Sequence, residues 1–273
     1  MEIGVIHSLT ADKPGSMFSA VRDFNFNVCQ LGCWDLRMCT REVAAQVVKE
    51  SQEAGVRICA VWAGVPGPAH WNFTEGPVTL GLVPEAYRVE RIEALKRWAD
   101  FAEWIGAPAI ITHCGFIPEN MTDRTYGEVV EAIREVAVYC ESKQLGFWFE
   151  TGQETPIVLL RTMERIGTAN LGINLDPANL VLYGKGNPID SLDVFGEYVR
   201  NVHVKDGFYP TNGNDLGLEV RAGEGKVDFP NFIAKLKQIG YDGELIIERE
   251  ISGQEQQDDI RRTAVDLQAW LQA

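Results

Sequence analysis

Eight short apolar runs recur along the chain, separated by longer stretches patterned for helices, and this alternation limits the fold more than any other feature. The runs are Glu2–His7, Val28–Gly32, Val56–Trp62, Ala109–His113, Gly146–Glu150, Leu171–Asp176, Val199–Val204 and Glu244–Glu248. Their apolar residues are nearly continuous rather than alternating, the pattern of parallel strands covered on both faces. Between them, Thr40–Ala54, Pro84–Ile105, Thr122–Lys143, Thr155–Ile166, Pro188–Phe195, Pro230–Ile239 and Glu255–Leu271 read as helices. Thr40 is placed to cap the first of these and Gly55 to end it, and several others open on Pro and stop at Gly. Eight βα units in unbroken order predict an α/β protein, a single (β/α)8 TIM barrel spanning residues 1–273. That length meets the roughly 250 residues such a barrel takes. An open doubly wound sheet is the competing arrangement. It usually carries a glycine-rich turn after the first strand, and HSLTADKPG is not G-x-G-x-x-G.

Composition narrows the partners. The formal charge is −14, from 25 basic and 39 acidic residues, which opposes binding to nucleic acid or to anionic membranes. No apolar run approaches the ~20 residues of a membrane span. The six cysteines, Cys29, Cys33, Cys39, Cys59, Cys114 and Cys140, include no C-x-x-C pair. They read as buried reduced thiols, which predicts a cytoplasmic protein. The N-terminus enters a strand directly, without the pattern of a secretory leader.

The chemistry gathers where strands stop. Glu150 closes LGFWFE, Asp176 closes LGINLD, His203 lies in VRNVHVKD and Glu248 in ELIIERE, which are runs five to eight. Neighbouring strands of a barrel stand about 4.8 Å apart, so these side chains converge on one mouth. Three carboxylates and an imidazole suit one divalent cation, Mn²⁺ first, with Mg²⁺, Co²⁺ or Zn²⁺ as alternatives. One such residue alone reads as a solvated acid or a helix cap; four in successive runs read as a shared centre. Of the four histidines, His7, His113 and His203 fall at the ends of runs one, four and seven, which makes His7 and His113 candidate substrate contacts. Glu154 is placed either to orient a metal ligand from behind or to favour a helix dipole. Lys205, Arg221 and Lys226, with the glycines of EVRAGEGKVDF, offer a place for a hydroxyl or phosphate. Trp34, Trp62 and Phe116 follow strands and can wall an apolar side of the pocket.

The motifs FETGQE, NLDPAN, VHVKD with GEGKVDF, and IIERE together resemble the xylose isomerase-like barrels across essentially the whole chain. That family includes ketose 3-epimerases, hydroxypyruvate isomerases, inosose dehydratases and sugar-phosphate relatives. The resemblance implies that Glu150, Asp176, His203 and Glu248 bind one metal and that Glu150 and Glu248 form the acid/base pair. It implies an isomerase or epimerase acting on a small ketose, ketose phosphate or related polyol-ketone through an enediolate, and it allows a homodimer. The chemistry agrees with the residues, since one carboxylate on each face of an enolised ketone can remove a proton and return it. Two departures leave the sugar open: Asn179 stands where many ketose 3-epimerases carry His, and the familiar Arg soon after the metal His is replaced by a longer loop bearing Arg221.

Three other functions compete. A dehydratase of the inosose or dehydroshikimate type uses the same site but expels a β-hydroxyl. A non-catalytic sugar-binding barrel keeps the metal and loses the turnover. An endonuclease-IV-like phosphodiesterase calls for more histidines than four and a basic groove, against a charge of −14.

Overall fold

The computed structural model describes residues 1–10 and 17–273. Its strands are β1 (Glu2–Leu9), β2 (Val28–Cys33), β3 (Arg57–Ala63), β4 (Ala109–Thr112), β5 (Gly146–Glu150), β6 (Leu171–Leu175), β7 (Val199–Val204), β8 (Asp206–Gly207), β9 (Glu219–Val220) and β10 (Glu244–Ile247). Eight of them form a closed barrel in the order β1-β10-β7-β6-β5-β4-β3-β2, all neighbours parallel. The two-residue strands β8 and β9 make an antiparallel ribbon outside it. The helices are α1 (Ser19–Asp23), α2 (Arg41–Ala54), α3 (Gly76–Thr79), α4 (Glu85–Ile105), α5 (Arg124–Ser142), α6 (Pro156–Ile166), α7 (Pro177–Leu182), α8 (Pro188–Phe195), α9 (Phe229–Gln238) and α10 (Gln254–Gln272). The expected (β/α)8 TIM barrel is therefore the fold.

Local chemistry sets several boundaries. The Thr40 hydroxyl accepts from the Val43 amide at 3.2 Å, and Gly55 ends α2 at φ 63°, a left-handed conformation that glycine adopts without strain. Thr155 caps α6, with Pro156 in its first turn. The six residues of α7 show no amphipathic period because all of them are buried. Among the described residues no helix is long and apolar enough to cross a membrane. All six cysteines are buried and free.

The strands are less uniformly apolar than the sequence suggested. Val202 and Val204 of β7 join the core between sheet and helices, while Asn201 and His203 alternate with them toward the lumen. Likewise Cys29, Leu31 and Cys33 of β2 face the helices, and Gln30 faces inward. Gln30, Asn174 and Asn201, all fully buried, form an amide layer inside the barrel.

Two polar anchors shape the long loops at the C-terminal ends of the strands. Arg91 of α4 is fully buried and donates to four backbone carbonyls: Pro66 at 3.0 Å, Pro68 at 2.8 Å, and Thr79 and Gly81 at 2.7 Å each. It gathers the loop between β3 and α4. Asp206 does the reverse for the loop between β7 and α9. Its carboxylate accepts from the amides of Gly207 at 2.8 Å and of Gly223, Gly225 and Val227 at 3.0 Å each. A Cβ at Gly225 would run into that carboxylate, so the glycine there permits the wrap.

Candidate metal centre and active site

Glu150 ends β5, Asp176 follows β6, His203 lies in β7 and Glu248 follows β10, so four adjacent strands of the barrel deliver one residue each. One ligand atom from each lies within 4.8 Å of all the others. His203 Nδ1 stands 3.2 Å from Glu150 Oε1, 3.0 Å from Glu248 Oε2 and 3.9 Å from Asp176 Oδ2. Asp176 and His203 are fully buried, and Glu150 is nearly so.

The donor atoms fit a divalent ion. Asp176 Oδ2, His203 Nδ1 and Glu248 Oε2 are buried and complete no hydrogen bond. Leaving them so costs about 1–3 kcal/mol each, unless another group pairs with them. Carboxylate oxygens and an imidazole nitrogen gathered this closely are the donor types that would hold a divalent ion.

Three of the four, Asp176, Glu150 and His203, are held from behind. Asp176 Oδ1 accepts from the Asn179 amide at 3.0 Å and so caps α7, leaving Oδ2 for the centre. The Thr151 hydroxyl bridges the Asp176 backbone, donating to its carbonyl at 2.8 Å and accepting from its amide at 2.9 Å. Trp62 Nε1 donates to Glu150 Oε2, which frees Oε1. Gln30 fixes the imidazole: its amide nitrogen faces Asn174 Oδ1 at 3.2 Å and Asn201 Oδ1 at 3.4 Å, so its carbonyl meets His203 Nε2, at 2.8 Å. The Asn174 amide nitrogen also approaches Nε2, at 3.1 Å, but the shorter Gln30 contact keeps a proton on Nε2, so Nδ1 is the nitrogen turned toward the carboxylates.

Burial alone lowers the basicity of His203, but the carboxylates of Glu150 and Glu248 outweigh it and raise its pKa well above the usual histidine value. Burial likewise disfavours the charged forms of Asp176 and Lys205. Lys205 and His203 nevertheless bring Asp176 down to about 2, and Glu248, Asp176 and Glu250 raise Lys205. Lys205 Nζ lies 3.4 Å from Asp176 Oδ2, 3.5 Å from Glu248 Oε2 and 2.9 Å from Glu250 Oε1, and it donates to Asn179 Oδ1 at 3.4 Å.

A cavity of about 280 Å³ opens over this cluster, lined in part by Glu150, Glu248, Asn179, His113, Trp34 and Trp62. His113 Nε2 lies 3.6 Å from Glu150 Oε1. Three residues that the sequence did not single out also line it: Trp71, Tyr183 and Glu250. Tyr183 follows α7, so the same short buried helix that Asp176 caps delivers it to the cavity. Only the bare motif NLDPANL hinted at that.

Three sequence candidates are placed elsewhere, and these are corrections. His7 is inside β1, which runs on to Leu9; period-two alternation sends Ile6 and Ser8 to the cavity and turns His7 toward Phe18 and α10. Arg221 pairs with Asp266 and with Glu224 at 3.1 Å, so the glycine loop after it holds Asp206 rather than opening to a ligand. Glu154 faces the amides of its own loop and Lys185 rather than a metal ligand, and burial raises its carboxyl to about 8. Lys226 lies over the Phe208 ring, and Phe116 packs edge-on against Tyr183.

Fold and site together define an α/β barrel with a cluster of side chains that could hold a metal ion, and residues 18–273 match the xylose isomerase-like TIM barrel family: the chain belongs to it. It is 34% identical to a solved xylose isomerase domain protein from Planctomyces limnophilus, with a TM-score of 0.92 over 99% of this chain and 96% of that one. It is 25% identical over 191 residues to inosose dehydratase from Geobacillus kaustophilus, covering 59% of this chain and 62% of that protein. The chain spans about three-fifths of the length of the curated relatives it matches. A solved D-tagatose 3-epimerase-like protein, 21% identical with a TM-score of 0.74 over 100% of this chain and 97% of that one, shares the fold.

Proposed function

We propose that this protein is a divalent-metal-dependent isomerase or epimerase that moves a proton next to the carbonyl of a small sugar or polyol-ketone. The observation that carries this reading is the pair of carboxylates, Glu150 and Glu248, facing one another across His203 with two strands of the barrel between them. Glu150, Asp176, His203 and Glu248 would hold the ion, Mn²⁺ first. When bound, it polarises a ketone and its neighbouring hydroxyl and so acidifies the hydrogen between them. One carboxylate takes that hydrogen. The other returns a proton from the opposite face, which inverts the carbon, or to the adjacent carbon, which exchanges aldose for ketose. Trp62 keeps Glu150 oriented, and Lys205, 3.5 Å from Glu248, keeps Asp176 ionised. Asn179 and His113, which line the cavity, would meet substrate oxygens.

Incubation with ketones in D₂O tests this. Metal-dependent deuterium next to the carbonyl, without change of skeleton, is expected. Tight sugar binding with no exchange would instead make this a binding barrel.

The similarity to an inosose dehydratase favours one second reading, in which the same deprotonation is followed by loss of a β-hydroxyl. Product mass separates the two, because only the dehydratase releases water.

A further inference from the structure

A line of polar side chains crosses the lumen from the acidic cluster to the opposite end of the barrel. It starts at His203, whose Nε2 meets the Gln30 carbonyl at 2.8 Å. Gln30 Nε2 donates to Asn201 Oδ1 at 3.4 Å, and Asn201 Nδ2 donates to Glu244 Oε2 at 3.5 Å. Glu244 opens β10, and its other oxygen accepts from Arg57 at 2.7 Å. Arg57 also pairs, at 2.6 Å, with Glu2 at the start of β1. Register explains the line, since Glu244 stands opposite Asn201 on the neighbouring strand and Ile246 opposite His203. Period-two alternation puts Glu244 and Glu248 on the same side, so one run of chain brings an acid to each end of the lumen, roughly 13 Å apart.

The middle of the line is closed to water: Gln30, Asn201 and His203 are fully buried. There the sense of each amide matters. A glutamine or asparagine can present either end to a neighbour, whereas a carboxylate can only accept. Glu244 therefore takes the nitrogen end of Asn201. That leaves Asn201 Oδ1 for the nitrogen end of Gln30, and the Gln30 carbonyl for His203 Nε2. With the amides turned over, Asn201 Oδ1 would face Glu244 Oε2, two acceptors with no proton between them in a dry interior. Asn174 is divided. Its Oδ1 accepts from Gln30 at 3.2 Å, which supports the same sense, but its Nδ2 lies 3.1 Å from Nε2, which opposes it. The acid at the far end breaks that tie.

We infer that Glu244 is a positioning residue for the metal site at the other end of the barrel: its carboxylate fixes the sense of Asn201 and Gln30, and so decides which imidazole nitrogen of His203 is left for the ion. The inference rests on the reading of Glu150, Asp176, His203 and Glu248 as metal ligands.

Glu244→Gln tests it, because glutamine fills the same space and can present either end to Asn201. Glu2→Gln is the matched control. It removes the same charge from the same Arg57, and among the described residues the Glu2 carboxylate reaches none of the three amides. Two readouts are taken on each variant: ¹⁵N spectra of the metal-free protein, with the His203 ring assigned by its loss in His203→Ala, and competition for Mn²⁺ against a fluorescent chelator. Glu244→Gln should deplete the Nε2–H signal and weaken Mn²⁺ binding about three- to tenfold, less than the loss of a group that touches the ligand itself. Glu2→Gln should leave both near wild type. An unchanged Nε2–H signal or an unchanged affinity in Glu244→Gln overturns the inference. So does an equal loss of affinity in Glu2→Gln, which would reduce the effect to charge alone. If the wild type binds no Mn²⁺, the reading of the four ligands falls, while the ring spectrum still decides whether Glu244 orients the line.

Discussion

Replacing Gln30 with Leu should weaken metal binding without dismantling the barrel. Gln30 touches no metal ligand except His203, whose Nε2 it meets at 2.8 Å. Leucine fills a similar volume but takes away the acceptor. The imidazole would then bury an unpaired N–H, at a cost of about 1–3 kcal/mol. It can escape by shedding that proton and keeping the one on Nδ1, where Glu150 and Glu248 wait at 3.2 and 3.0 Å. That relieves the metal-free protein and blocks the nitrogen that must bind the ion, so the cost reappears in the affinity. Loss of such a supporting partner corresponds to about 10–100-fold in dissociation constant, or roughly 1.4–2.8 kcal/mol. Competition between the protein and a fluorescent chelator for Mn²⁺ measures it, and ¹⁵N spectra of the ring report the tautomer. Gln30→Glu, which keeps the acceptor, should recover most of the affinity. A folded Gln30→Leu variant that binds Mn²⁺ within threefold of wild type, with its proton still on Nε2, would refute the argument.

Further outcomes follow from other parts of the site. Glu150→Gln and Glu248→Gln should each lower metal-dependent deuterium exchange by about 10²–10⁴-fold, and circular dichroism should show the barrel intact. Saturating Mn²⁺ at 100 times its dissociation constant should add about 2.7 kcal/mol of stability, a rise of several degrees in Tm that a chelator reverses and His203→Ala abolishes. Burial raises Glu154 from 4.5 to about 8, so the folded state holds that proton longer than the unfolded chain does. Its stabilising contribution is complete below 4.5 and is lost as pH climbs to about 8; Glu154→Gln should therefore gain on wild type in urea melts between these values, by on the order of a few kcal/mol. Asp206→Asn should cost about 3 kcal/mol, because an amide turns a donor toward backbone N–H groups that now share a carboxylate, and a urea midpoint equal to wild type would dismiss that role.

The strands and the gathering of Glu150, Asp176, His203 and Glu248 were legible because each depends on short-range pattern. A run of apolar residues announces a buried strand, and an acid at its end is visible whatever the rest of the molecule does. Elements whose logic is tertiary left no such trace. In α7 all six residues are buried, so no polar face betrays a helix. Gln30, Asn174 and Asn201 interrupt apolar runs, yet they meet across 144 and 171 residues of chain, a distance no local pattern spans. His7 was misplaced because a strand two residues longer than its apolar run leaves its parity, not its end, to decide which face it takes. Arg221 was misplaced because a cation in a glycine-rich loop looks the same whether it awaits a ligand or an aspartate on the next helix.

The hydrogen bonds of Arg91 and Asp206 go to main-chain atoms, carbonyls in one loop and amides in the other. The shape of each loop is therefore nearly independent of the side chains it displays. Residues such as Trp71 and Leu216, which these loops present to the cavity, can be exchanged without dismantling their support. Such a scaffold separates the inheritance of a frame from the drift of what it displays, and lets the cavity rim vary while the acidic cluster beneath stays in register.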